Sequence, residues 1–125
     1  MFVIKKDKSI HITRGDIANI VVSASLQDGT MYTFSKGDVV SFKVYPRKNY
    51  EKIVLKKEVT VSEETETVNI YLEHDDTKLG DIINKPVDYW YEVEINPDTK
   101  PQTIIGYDED GEKIFRVYPE GSDGE

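Results

Sequence analysis

The chain has no cysteine, which excludes disulfides and thiolate metal sites. That absence fits assembly in a reducing cytoplasm. Histidine is nearly as scarce, with only His11 and His74, far apart in sequence. There is no Gly-x-Ser-x-Gly elbow, so nothing nominates a nucleophile with a base beside it. Long apolar runs are missing too, and none approaches the roughly 18 residues that span a bilayer. The opening Met1-Phe2-Val3-Ile4-Lys5-Lys6 places its apolar residues before its basic ones and is too short for a signal peptide, so the chain is expected to stay where it is made. Positive charge is in deficit: sixteen basic against twenty-four acidic residues give a net charge of -8. Such a surface repels phosphate backbones and anionic lipids, so neither nucleic acid nor membrane is the expected partner.

What is present is a β-pattern. At 125 residues, 32% charged and a mean hydropathy of -0.53, the chain is sized for one soluble domain with one core. Over positions 19–26, Ile20, Val22, Ala24 and Leu26 alternate with Asn19, Val21, Ser23 and Ser25. Successive strand side chains point to opposite faces, so one face of this run enters a core. Asp28-Gly29 marks the turn that follows. Positions 38–45 repeat the pattern with Val40, Phe42 and Val44 against Ser41 and Lys43, and Pro46 ends it. Ile53, Leu55, Val59 and Val61 form a further run whose apolar face is broken by Lys57, the mark of an edge or a bulge.

Val68, Ile70 and Leu72 alternate next; then Tyr89, Tyr91, Val93 and Ile95 oppose Trp90, Glu92 and Glu94 before the turn Asn96-Pro97-Asp98. Strands at 103–105 and 114–118 complete the set, with Asp108-Glu109-Asp110-Gly111 between them as a hairpin signal. A single helical turn is expected within 75–83, capped by Asp75 or Asp76. About eight short strands with turn signals every 8–12 residues or so predict an all-β, immunoglobulin-like antiparallel β-sandwich. One domain covers 1–125, with an N-terminal arm or edge strand at 1–8 and a frayed tail at 120–125.

Each chemical motif has a plainer reading beside it. Glu92 and Glu94 could pair for glycoside chemistry, yet on one strand face beside Trp90 they read as a solvated sheet. The acidic loop at 108–112 and the pair Asp75-Asp76 lack the spacing of a calcium hand and read as turns. Arg14-Gly15-Asp16 spells an integrin-type tripeptide, but Gly15 and Asp16 also suit the bend between a strand at 10–13 and the next. The expectation is therefore no catalytic residue, no cofactor and no metal.

Two segments remain as interface candidates. Tyr89-Trp90-Tyr91 puts three rings on adjacent residues, which could stack a sugar, fill a protein interface, or be core with Trp90 over the sheet edge. Phe2, Val3 and Ile4 form an apolar strand at the chain's start, which either extends the molecule's own sheet or pairs with a neighbouring copy or another protein.

Taken in order, Ile12 to Asp16, Asp28-Gly29-Thr30, Gly37 to Val44, Leu72 to Leu79, Tyr89 to Ile95, Thr103 to Ile105 and Phe115 to Val117 form a sequence of turns and strands. This order resembles small β-sandwich domains of phage and prophage tails and baseplates of Gram-positive bacteria, in particular the N-terminal domain of the baseplate upper protein family. The resemblance spans about Ser9 to Gly121 and is one of pattern rather than of a chemical motif. It implies a virion structural protein, assembled in the bacterial cytoplasm, that docks other tail or baseplate proteins or further copies of itself, with no catalytic residues to carry over. Larger members continue into helical and receptor-binding parts, whereas this sequence covers one domain. The connection at 81–88, with Asn84-Lys85-Pro86, is also longer than the pattern leads one to expect. A carbohydrate-binding module using Tyr89, Trp90 and Tyr91 is the competing expectation, and an unrelated adaptor or secreted domain of the same architecture is a third.

Overall fold

The computed structural model describes residues 2–4, 8–26, 28–47, 52–80, 84–107, 109 and 111–120, with only the backbone of Val3 and Ile4. Among the described residues there are nine strands and no helix. They are β1 (Phe2–Ile4), β2 (Ile10–Thr13), β3 (Ala18–Val22), β4 (Val39–Pro46), β5 (Leu55–Thr60), β6 (Val68–Leu72), β7 (Val87–Ile95), β8 (Gln102–Ile105) and β9 (Lys113–Tyr118).

Seven strands form one sheet in the order β1-β2-β9-β7-β4-β5, with β8 also on β7; β3 and β6 form a second sheet of two. The chain crosses to the small sheet at β3 and again at β6, returning each time, which is immunoglobulin-like wiring. The expected antiparallel sandwich needs one correction. β2 and β9 run parallel, pairing Ile10 with Phe115 and Ile12 with Val117, so the large sheet is mixed. Antiparallel neighbours can be joined by a tight turn, whereas a parallel pair needs a long crossover. Here nearly the whole chain is that crossover, which period-two alternation cannot reveal.

The alternation builds the core as read. Val40, Phe42 and Val44 of β4, Tyr91, Val93 and Ile95 of β7, and Phe115 and Val117 of β9 face Ala18, Ile20 and Val22 of β3 and Val68, Ile70 and Leu72 of β6 in one buried cluster. Each fully buried large apolar side chain contributes roughly 1.5–3 kcal/mol of transfer free energy. Phe42 sits at the centre, its ring 5.4 Å from Tyr91 and 6.1 Å from Phe115. Lys57 does mark an edge, since among the described strands β5 pairs only with β4.

Two local expectations are corrected. The segment after β6 is a hydrogen-bonded turn rather than a helical one: Asp76 N donates to Glu73 O at 2.9 Å, and Glu73 N to Asp76 Oδ2 at 2.8 Å. Closing the turn on its own carboxylate leaves Asp76 no helix to cap; positions 81–83 lie outside the described residues. Nor do β8 and β9 form a hairpin. Both lie along the same side of β7, β8 on Val93 to Ile95 and β9 on Val87 to Tyr91, with a register shift at Val93/Glu94. Of the expected tail, Glu120 is held by an ion pair with Arg14 at 3.0 Å, and 121–125 lie outside the described residues.

Candidate docking surface

The three adjacent rings are separated by the pleat of β7, and none forms an exposed platform. Tyr91 points into the core beside Phe42, and its hydroxyl donates to Lys8 O. Tyr89, on the same face, is half-buried. Trp90 points the other way, but Tyr45 lies flat on it, with centroids 4.4 Å apart and planes 14° apart, so the indole is only 8% exposed. Cross-strand pairing of Tyr45 with Trp90 sets that stack. Because β7 lies inside the sheet, Trp90 covers the sheet's middle and not an edge. Phe2, partly buried, packs on the core, and β1 joins its own molecule's sheet by pairing Phe2 with Ile12 and Ile4 with Ile10.

Around Trp90 the outer face of the large sheet satisfies its own charges. Lys43 Nζ lies 3.0 Å from Glu94 Oε1, and Tyr45 Oη donates to Glu92 Oε1 at 2.8 Å. Burial, reinforced by that carboxylate, raises the Tyr45 phenol well above its ordinary value. Arg116 grips Asp88 through Nε and Nη2, which holds the Asp88 carboxyl below the usual range. His11 is clasped at both nitrogens, Nε2 at 3.0 Å from Ser9 Oγ and Nδ1 at 2.8 Å from Tyr118 Oη. That Ser–His distance would suit a nucleophile and base, yet both residues are buried and the third partner is a phenol rather than a carboxylate. The pairing satisfies buried polar atoms.

The Arg14-Gly15-Asp16 bend is similarly occupied. Arg14 bonds Glu120 and the carbonyl of Gly80, and Gly15 supplies the positive φ of 87° that the turn requires. Among the described residues no group of three or more His, Asp or Glu could hold a metal. Asp76 is engaged by Lys57 at 3.0 Å, and Asp108 and Asp110 lie outside the described residues.

The small sheet is different. Its outward positions are Ile17, Asn19, Val21, Ser23 and Ser25 along the β3 segment, and Thr67, Asn69, Tyr71 and Glu73 along the β6 segment, all exposed, with Glu73 at the end of the row the one charged residue. In a chain with 32% charged residues, a row of this length with a single charge at its end departs from the ordinary solvated face. Ile17 is 73% exposed, Val21 56% and Tyr71 63%. Pairing of Asn19 with Tyr71 and of Val21 with Asn69 brings these side chains together, and Asn19 Nδ2 bonds Asn69 Oδ1 at 3.2 Å between them. Beside Ile17, Tyr71 and Glu73 an open depression of about 610 Å³ runs past Ala18 to Phe2.

Of the sequence candidates whose side chains are described, Phe2 borders this surface and Tyr89, Trp90 and Tyr91 do not. Ile17, Val21 and Tyr71 went unrecognised, although the signal was there. Val21 and Tyr71 are large apolar residues on the polar side of clean alternations. No protein-family model matches the chain, and no curated protein matches it in sequence.

Proposed function

We propose that the chain is a non-enzymatic structural component of a phage or prophage tail or baseplate, acting by protein–protein docking through the outer face of its small sheet. The docking reading is carried by the exposed, charge-poor row that includes Ile17, Val21 and Tyr71, with Glu73 its one charge. Interface cores are depleted in charge and enriched in aromatic residues, and this face has that composition while the opposite face is filled with ion pairs. The tail assignment rests on the order of turns and strands in the sequence. Virion location, with assembly in the bacterial cytoplasm, belongs to the same proposal. The glycan-binding alternative needs an exposed row of rings, and Tyr45 lying on Trp90 counts against it.

The test is co-expression with the products of the genes flanking its own, comparing the native chain with an Ile17→Ser/Tyr71→Ser variant. Both positions are exposed, so the variant should keep its thermal midpoint and lose co-assembly. Unimpaired co-assembly by the variant, or glycan binding abolished by Trp90→Ala, would overturn the proposal.

A further inference from the structure

We infer that a second copy of this chain pairs with β3 edge to edge and antiparallel, joining two small sheets into one four-stranded sheet across a two-fold axis. This pairing uses the edge of the small sheet whose outer face is the docking surface proposed above, and it rests on that reading. Among the described strands β3 pairs only with β6, and β6 only with β3; β6 lies close to β5, whereas β3 keeps one edge of backbone donors and acceptors with no described strand packed along it. Proteins ordinarily blunt such edges with charge, proline or a bulge. β5, the edge of the large sheet, does so with Lys56, Lys57 and Glu58 in its sequence LKKEVT. β3 reads ANIVV and β6 reads VNIYL, with no charged residue and no proline in either.

Charge decides between the two edges and between kinds of partner. Full antiparallel overlap of β3 with itself centres on Ile20, sets Ala18 opposite Val22 and Asn19 opposite Val21, and keeps buried residues on the buried side. Continued outward, this register sets Asp16 opposite Ala24 and Arg14 opposite Leu26, so no like charges meet. The corresponding overlap of β6, centred on Ile70, sets Glu64 opposite Asp76 and Thr65 opposite Asp75, so the copies would meet acid to acid. A basic partner gains nothing from β3, which offers it no carboxylate. In a molecule of net charge -8, an uncharged strand is where a second copy can approach. The same register carries Ala24 and half-exposed Leu26 of the second copy toward the depression that Phe2, Ile17, Tyr71 and Glu73 border.

The test is sedimentation of the full chain over a range of concentrations and salt, with amide exchange on the same samples. The mass should rise from 14.3 kDa toward twice that value, and association should tighten with salt, because screening relieves like-charge repulsion and breaks no interfacial ion pair. Exchange protection should grow with concentration in Ala18–Val22 and stay constant in Val68–Leu72. Val21→Lys places two ammonium groups on diagonal positions across the axis and should weaken association about tenfold or more at an unchanged dilute thermal midpoint. Val21→Thr should retain it.

A chain that stays monomeric, or a dimer that protects β5 or β6 instead of β3, overturns the inference. If that monomer still loses co-assembly on Ile17→Ser/Tyr71→Ser, the docking face stands with another partner. If it does not, both readings fall.

Discussion

Phe42 and Ser41 are neighbours on β4 with opposite directions and unlike fates. Phe42 is fully buried between Tyr91 and Phe115. Truncating it leaves a cavity that its neighbours fill only in part, so Phe42→Ala should cost about 3–5 kcal/mol in a urea titration. Ser41 faces outward as the alternation predicts, yet it too is fully buried, and its hydroxyl has no hydrogen-bond partner. Long side chains such as Lys43 and Glu94, held together by their ion pair, can roof a small residue on a nominally solvated face. Ser41→Ala removes an unsatisfied hydroxyl and should leave stability unchanged or raise it. A loss as large as that of Phe42→Ala would overturn the assignment of faces.

Among the elements, β1 takes one of the two places the sequence left open for it. Its backbone pairs with β2 from Phe2 to Ile4, and Phe2 packs on the core, so the segment extends its own molecule's sheet. Deleting residues 1–6 should therefore lower the thermal midpoint without changing the mass in dilute solution; light scattering and a melt together check this. Strand existence was legible throughout because burial imposes the period of two: Val68, Ile70 and Leu72 are buried as read, and so are Val40, Phe42 and Val44. Partnership was not legible, since alternation says which face is wet and not which strand lies alongside. For that reason Asp108 to Gly111 looked like a hairpin although β8 and β9 both pair with β7. The docking face was half legible. Val21 and Tyr71 are apolar residues in the polar slots of their alternations, a signal that went unrecognised, and only the pairing of β3 with β6 brings them together.

At the scale of the whole molecule, acid sensitivity follows from a few tethered carboxylates. Arg116 holds Asp88 below the ordinary 3.8, and the amide of Ser35, with help from Asn96 and Tyr32, does the same for Asp38. A carboxylate depressed by folding stabilises the native state fully above its unfolded value and loses that contribution as pH falls through its lower folded one. From pH 7 toward the isoelectric point near 4.8, the shrinking net charge relieves repulsion and these two groups remain ionised. The thermal midpoint should therefore hold or rise over that range and fall below pH 3.8. Asp88→Asn should lower the midpoint at pH 7, and its difference from the native chain should shrink as acid protonates the native carboxylate. A constant difference down to the acid limb would show that the Arg116 pairing contributes nothing through charge.

The parallel seam between β2 and β9 also shapes the order in which the chain can fold during synthesis. β9 is the last of the nine described strands to leave the ribosome, yet its place is inside the sheet, between β2 and β7. At roughly 5–20 residues per second, β1 and β2 wait several seconds for the partner that closes them into the sheet. Until then the hairpin of Phe2–Ile4 on Ile10–Thr13 has an open side, and the apolar side chains of Ile10 and Ile12 lack Phe115 and Val117. A stop codon even a few residues before Lys113 would leave that side open for good. Truncated products of this gene should therefore be recovered as aggregates or degradation fragments rather than as a shortened soluble domain.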